Sequence, residues 1–175
     1  MKALSLTQPW ATLIAIGAKK IETRSWRTPY RGQIAIHASK GFPAWAKDDC
    51  MSLVFARALW PDLQHDSVHL LTAAEYFTHV RKMRARANEL PLGSIIAVAN
   101  LRDCIATRNG GAFFPPEMPH HSSPEYAFGD YSPNRYMWLL ENVTALAVPI
   151  PCRGALSLWE VPENVERQIR EQVDA

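Results

Sequence analysis

The segment from Gly17 to Lys40, GAKKIETRSWRTPYRGQIAIHASK, constrains the fold more than any other part of this sequence. Gly17 follows the last apolar position of a helical pattern, as a glycine that ends a helix does. Alternation of apolar and polar residues then predicts two short strands, one near 21–25 and one over 33–38. A helix end followed so closely by two strands favours a sheet of short strands with helices inserted between them.

The remaining patterns continue this irregular order of strands and helices. Further strands are predicted over 2–6, 92–101, 135–148, where Pro149 and Pro151 break the pattern, and 155–161. Helices are predicted from an N-cap at Thr7 to about 16, and over 43–58, 72–89 and 163–173. Residues 108–133, rich in Gly, Pro, Ser and His, predict a long irregular segment. The sequence therefore predicts an α+β fold, a small mixed β-barrel of five to six strands with inserted and flanking helices.

Composition limits the kinds of site that this fold can carry. With 175 residues, 47% of them hydrophobic, the chain is expected to form a single domain over 1–175 with a helical insertion at about 43–89. Because the net charge is only +2, a site for a polyanion has to be a local patch. Three widely spaced cysteines without a CxxC pair argue against disulfides and a thiolate zinc site. Since no segment resembles a signal or a membrane span, we expect a cytoplasmic protein without a membrane partner.

Such a basic patch lies within Gly17–Lys40, where cationic and aromatic side chains alternate. Guanidinium and ammonium groups pair with phosphates, and aromatic rings stack on bases. The pattern therefore predicts binding of RNA or another single-stranded nucleic acid, or of a nucleotide or nucleoside. The candidate binding residues are Lys19, Arg24, Trp26, Arg27, Tyr30, Arg31, Ser39, Lys40 and, from a later strand, Arg135.

Lys19, Glu22 and Arg24 form a second pattern within the same segment, with the spacing G-x-K-x-x-E-x-R from Gly17. In an extended chain, Glu22 and Arg24 share one face, and Lys19 can fold over them from the turn. One interpretation is a catalytic trio of a hydrolase, in which Lys19 and Glu22 handle a proton and Arg24 clamps an oxyanion. The other is a salt-bridge network that closes a helix-to-strand turn.

Other reactive residue types form weaker patterns. His37 and Ser39 lack an acidic partner, which argues against nucleophilic catalysis. The His65/His69 pair, and the His120/His121 pair beside Glu117, are more typical of solvated turns than of metal sites. No phosphate-binding or dinucleotide-binding glycine motif occurs, so we expect neither a metal nor a cofactor.

The motifs QPW, GxKxxExR, YRG and IHASK occur here in order, and together they resemble the ASCH domain, the activating-signal-cointegrator homology module. RYMWLLENV and IPCRGALSLWEVP look like its later strands. The resemblance implies a PUA-like β-barrel and an RNA-associated role, with a ligand cleft near the GxKxxExR turn. It also implies a second hypothesis, because the family includes a reported ribonuclease and an acetylcytidine amidohydrolase.

Compared with that amidohydrolase, Lys19 and Arg24 match its lysine and arginine positions, whereas Glu22 replaces a threonine. This departure removes a hydroxyl from the implied catalytic set of Lys19, Glu22 and Arg24. A third hypothesis is a protein-interaction module that presents the basic face of the helix around Arg81 to Arg86.

Overall fold

The computed structural model describes residues 1–63, 72–108 and 114–174. In these ranges the chain forms, in order, β1 (Lys2–Leu6), α1 (Trp10–Ala15), β2 (Ile21–Arg24), β3 (Gly32–Ala38), α2 (Ala44–Asp49), α3 (Leu53–Leu59), α4 (Ala73–Asn88), β4 (Ser94–Ala106), α5 (Pro124–Ala127), β5 (Tyr136–Pro151), β6 (Leu158–Glu160) and α6 (Glu163–Val173). His65 and His69, and part of the segment 108–133, lie outside the described residues.

The strands form one mixed sheet in the order β2-β5-β4-β3-β1-β6. The pair β1 and β3 is parallel and every other neighbouring pair is antiparallel. The sheet curls into a half-barrel whose edge strands are β2 and β6. The predicted α+β fold, with five to six strands and inserted helices, is confirmed.

Both faces of the central strands are buried, since helices cover the sheet on each side. Leu4, Ile36 and Trp138 pack with α1 on one face, whereas Val165 and Ile169 of α6 cover the other. This double burial explains why the IAIHA part of β3 reads as a nearly continuous apolar run.

The start of α1 differs from the expectation, because Thr7 does not cap it. The N-cap residue of α1 is Pro9, whose side chain forms no hydrogen bond with the first turn of the helix. The Gln8 side chain supplies the missing acceptor, since its Oε1 takes the N–H of Thr12 at 3.1 Å. Gly17, with φ of 76°, follows the helix as expected and lets the chain turn into β2.

Helices α2, α3 and α4 lie between β3 and β4 and share an apolar cluster that includes Cys50, Trp60 and Met83. The helical pattern over 43–58 is interrupted, because the chain leaves helical geometry at Ser52, the N-cap of α3. Thr72 caps α4 through a reciprocal pair of hydrogen bonds with Glu75. Within the described ranges, no helix combines the length and the apolar character needed to span a membrane.

The prediction that Pro149 breaks the fifth strand was wrong, because β5 continues through Pro149 and has Pro151 as its last residue. This part of β5 lies beyond the stretch paired with β2, which covers only Tyr136 to Leu139. A proline is tolerated where a strand lacks a ladder partner on one side. Gln172 of α6 binds both backbone groups of Val148 there, at 2.9 and 3.0 Å.

Candidate functional site

The charged trio at the start of β2 has the geometry expected from its spacing. Arg24 Nε lies 2.9 Å from Glu22 Oε1, and Lys19 Nζ lies 3.6 Å from Glu22 Oε2. Arg24 also donates from Nη2 to the carbonyl oxygen of Ser5 at 2.9 Å, which ties β2 to β1. Glu22 is therefore held between two cations at one wall of a cleft.

Lys19 is fully buried, which the sequence did not indicate. Its ammonium donates to the carbonyl oxygens of Ile21 and Phe128 and lies beside the Glu22 carboxylate. Burial lowers the pKa of Lys19 below its usual value, while Glu22 opposes that shift. With its donors directed at these groups, Lys19 supports the wall of the cleft from behind and does not face solvent.

The cleft in front of this trio has a volume of about 540 Å³. We call it the tryptophan cleft, because three indole rings contribute to its lining, those of Trp10, Trp26 and Trp45. Trp10 and Trp45 are in contact, with ring centroids 5.6 Å apart. Trp26 packs edge-to-face on the buried Trp138 at 4.6 Å, which fixes its orientation. The cleft therefore offers rigid aromatic surface beside charged groups.

A second ion pair lines the tryptophan cleft from the loop before β5. Arg135 Nε lies 3.3 Å from Asp130 Oδ2, and Arg135 Nη2 donates to the carbonyl oxygen of Thr23 at 3.3 Å. The Asp130 N–H donates to Thr23 Oγ1 at 3.0 Å, so both residues are fastened to β2. Hydrogen bonds from Ser132 hold the pKa of the Asp130 carboxyl below its usual range. Arg135 thus reaches the same cleft as Glu22 and Arg24.

The lining of the tryptophan cleft contains two carboxylates and two guanidinium groups, so the formal charges of these four side chains cancel. Such a site offers hydrogen-bond acceptors at Glu22 and Asp130 and donors at Arg24 and Arg135. A phosphate alone gains little from a balanced set, whereas a planar heterocycle with N–H and C=O groups can use both kinds of partner. The arrangement suits recognition of a base.

Arg27, Tyr30 and Arg31 lie away from the tryptophan cleft. Arg31 forms an ion pair with Asp103 at 2.6 Å, and a separate groove contains it together with Arg27. The hydroxyl of Tyr30 donates to the Gln33 carbonyl oxygen at 2.8 Å, and the Tyr30 ring packs against the core. The predicted binding residues are therefore divided between several surfaces.

Ser39 and Lys40 line another pocket, of about 610 Å³, on the other side of β1. We call it the Lys40 pocket and define it by His37, Ser39, Lys40, Arg153 and Leu156. Ser39 Oγ donates to the carbonyl oxygen of Gly41 at 3.1 Å, whereas Lys40 is exposed.

His37 forms the floor of the Lys40 pocket, and its hydroxyl partner is Ser5 instead of Ser39. Its Nε2 lies 3.0 Å from the carbonyl oxygen of Cys152, and its Nδ1 lies 3.1 Å from Ser5 Oγ. A carbonyl only accepts, so Nε2 carries the proton and the Ser5 hydroxyl donates to Nδ1. Trp159 Nε1 donates to the same Ser5 oxygen at 3.1 Å. Burial lowers the pKa of His37, which keeps the ring neutral.

Asp130 and several other residues of the tryptophan cleft and its support were missing from the sequence-based set. Trp10 belongs to the QPW motif, Trp45 comes from the insertion, and Glu125 accepts the backbone N–H groups of Lys20 and Ile21. Only the QPW motif carried a local signal. Trp45 and Glu125 reach the site through tertiary packing of α2 and α5, which periodicity does not reveal.

Within the described ranges, no group of three His, Cys, Asp or Glu side chains is arranged so that it could hold a metal ion. The rings of His120 and His121 lie 4.6 Å apart at an angle of 34°, and the described residues offer them no third ligand.

Comparisons with known proteins identify the family. The sequence pattern of the ASCH domain matches residues 4–149. The chain is 22% identical over 164 residues to Activating signal cointegrator 1 of Homo sapiens, and equally to that of Mus musculus; the match covers 94% of this chain but 23% of each relative. A crystal structure of ASCH from Zymomonas mobilis is similar with a TM-score of 0.48 and 14% identity, covering 97% of this chain and 93% of that one. Because the match spans most of its length, the chain belongs to the ASCH domain family.

Proposed function

We propose that the tryptophan cleft binds a base of single-stranded RNA. ASCH domains are associated with RNA or nucleic-acid interaction. The observation that carries the proposal is the combination, in one cleft, of three indole rings with the paired groups Glu22–Arg24 and Asp130–Arg135. The rings stack on the base and the charged pairs bond to its edge.

In this proposal Lys19 is a positioning residue. Its buried ammonium fixes Glu22 at the wall of the cleft, and phosphates are left to exposed cations. Arg24, Trp26 and Arg135 are the predicted binding residues that keep direct contact with the ligand, and Trp10 and Trp45 join them.

The experiment compares the variant Trp45→Ala with Phe77→Ala. Both side chains are largely exposed, at 60% and 69%, but Phe77 lies on α4 and does not line the cleft. Loss of one stacked base weakens binding by about 1–3 kcal/mol. We therefore expect Trp45→Ala to lower the affinity for a short single-stranded RNA by at least about fivefold, with Phe77→Ala unchanged. Equal affinities for the two variants would overturn the proposal.

A second candidate, hydrolysis of RNA or of a modified nucleoside, is favoured by one observation. Glu22 faces the cleft while Lys19 and Arg24 fix its orientation, as a proton-accepting carboxylate requires. The test is incubation with labelled RNA and, separately, with acetylated cytidine, using Glu22→Gln as the control. Product formed by the unaltered protein and absent with Glu22→Gln supports hydrolysis, whereas intact substrate with both proteins rejects it.

The structure gives less support to the third candidate, a protein-interaction surface on α4. Arg84 and Arg86 are engaged with Asp48 and Asp62 at 3.1 and 2.7 Å, so half of the predicted basic face is neutralised. Arg81 and Lys82 are exposed. They serve below as a control for nonspecific attraction.

A further inference from the structure

The Lys40 pocket differs from the tryptophan cleft in the sign of its charge. Lys40 and Arg153 contribute cations, His37 is neutral, and the described residues that line the pocket include no carboxylate. Uncompensated positive charge around a concave surface attracts anions.

The two cations of the Lys40 pocket are also exposed and have no ion-pair partner within the ranges 1–63, 72–108 and 114–174. This separates them from Arg31, Arg84 and Arg86, each of which is paired with an aspartate. A cation that already has a carboxylate partner has to exchange it for a phosphate, whereas Lys40 and Arg153 only lose water and counterions.

The wall that carries Arg153 is fixed in place by the His37 network. Cys152 accepts the His37 N–H at 3.0 Å, and Gly154 lies so close to His37 that an added Cβ would be 2.4 Å from its Cε1. Next to this anchor, Leu156 is 93% exposed and precedes Ser157, whose φ is 60°. A non-glycine residue in the left-handed region is uncommon and indicates a backbone held by its surroundings. The anchored loop thus presents a cation and an apolar side chain side by side.

The Lys40 pocket and the tryptophan cleft adjoin at Ser5 of β1. Ser5 lines both: its carbonyl oxygen accepts from Arg24, and its hydroxyl bonds to His37. One extended ligand that crosses Ser5 can therefore occupy both sites.

We propose that the Lys40 pocket binds a backbone phosphate of the RNA strand whose base occupies the tryptophan cleft. Lys40 and Arg153 pair with the phosphate, and Leu156 packs against the adjoining sugar. This inference rests on the proposed function of the cleft and extends it, because the ligand becomes a strand of at least two nucleotides instead of a free nucleoside.

The test uses the double variant Lys40→Gln/Arg153→Gln and a matched control, Arg81→Gln/Lys82→Gln, which removes the same charge from α4. Binding of a tetranucleotide pool of random sequence and of the four nucleosides is measured as a function of salt. Each neutralised phosphate contributes about 0.7 to the logarithmic salt slope of a single strand. We expect the first variant to flatten the tetranucleotide slope by about 0.7, because one phosphate is no longer neutralised, and to leave nucleoside binding unchanged.

The outcomes separate the two proposals. If the Lys40→Gln/Arg153→Gln variant loses no more affinity or salt slope than the control, the phosphate site is rejected while the tryptophan cleft stands. If Trp45→Ala has no effect on tetranucleotide or nucleoside binding, the proposed function fails, and the inference resting on it fails too. A loss of nucleoside binding in the Lys40→Gln/Arg153→Gln variant would also overturn the inference, because it would place the base itself in the Lys40 pocket.

Discussion

The two pockets that meet at Ser5 differ in how their charges are compensated. In the tryptophan cleft the charged side chains Glu22, Arg24, Asp130 and Arg135 are paired, and Lys19 stabilises Glu22 from behind. In the Lys40 pocket the buried group is a neutral histidine and the cations are exposed. A basic sequence segment therefore need not form one basic surface, since strand pairing places its residues on different sides of β1.

The largest effect is expected from breaking the support of the tryptophan cleft with Lys19→Met. The substitution leaves the carbonyl groups of Ile21 and Phe128 without their donor and takes one cation from Glu22. Removal of one partner from a buried charged network costs about 3–5 kcal/mol. We expect a loss of about 3 kcal/mol in the free energy of unfolding, measured by denaturant titration.

Lys20→Met is the matched control, because Lys20 is the exposed neighbour of Lys19. Its free energy of unfolding should change by less than about 0.5 kcal/mol. Equal stability of the two variants would show that the buried ammonium does not support the cleft.

A smaller loss of stability is expected on the other side of β1, from Gly154→Ala. The added Cβ would meet His37 Cε1 at 2.4 Å and Ser5 Oγ at 2.8 Å, so the loop or the ring has to move. Overpacking of this kind costs about 1–3 kcal/mol. Gly41→Ala is the control, since an added Cβ meets nothing within 4 Å there. Thermal unfolding of both variants measures the difference, and equal midpoints would contradict the close fit.

The smallest effect is a pH dependence that belongs to the Lys40 pocket. Burial lowers the pKa of His37 in the folded protein below the value of about 6.5 for an unfolded chain. The unfolded state therefore binds more protons as the pH falls, and stability is full above about pH 6.5 and declines below it. Protonation would also remove the Nδ1 acceptor of Ser5.

The matching measurement is the free energy of unfolding between pH 8 and pH 5 for the unaltered protein and for His37→Gln. We expect a decline only in the unaltered protein over the upper part of this window, since carboxylates such as Asp130 titrate at lower pH. The same decline in both proteins would assign the dependence to another group.

The local sequence pattern was sufficient to predict features that depend on residues adjacent in the sequence. The bounds of β1 and α6 and the helix-ending role of Gly17 follow from periodicity and glycine geometry. The shared face of Glu22 and Arg24 follows from the two-residue repeat of a strand. These features need no distant contact.

Features that depend on distant contacts were not predictable. The first turn of α1 is bonded by the Gln8 side chain and not by Thr7. Strand β5 continues past Pro149 because this part of the strand is not paired with β2. Trp45 enters the tryptophan cleft only because α2 packs near α1. The pattern of cations also did not show that Lys19 is buried or that Arg31 is paired with Asp103.

Photocrosslinking shows whether an RNA base lies in the tryptophan cleft. Short single-stranded RNA carrying 4-thiouridine is irradiated with the protein, and the crosslinked peptides are identified by mass spectrometry. Crosslinks are expected in the peptides that contain Trp45 and the segment 22–26. Crosslinks confined to α4, around Arg81 and Lys82, would contradict this expectation and assign RNA contact to the basic helix.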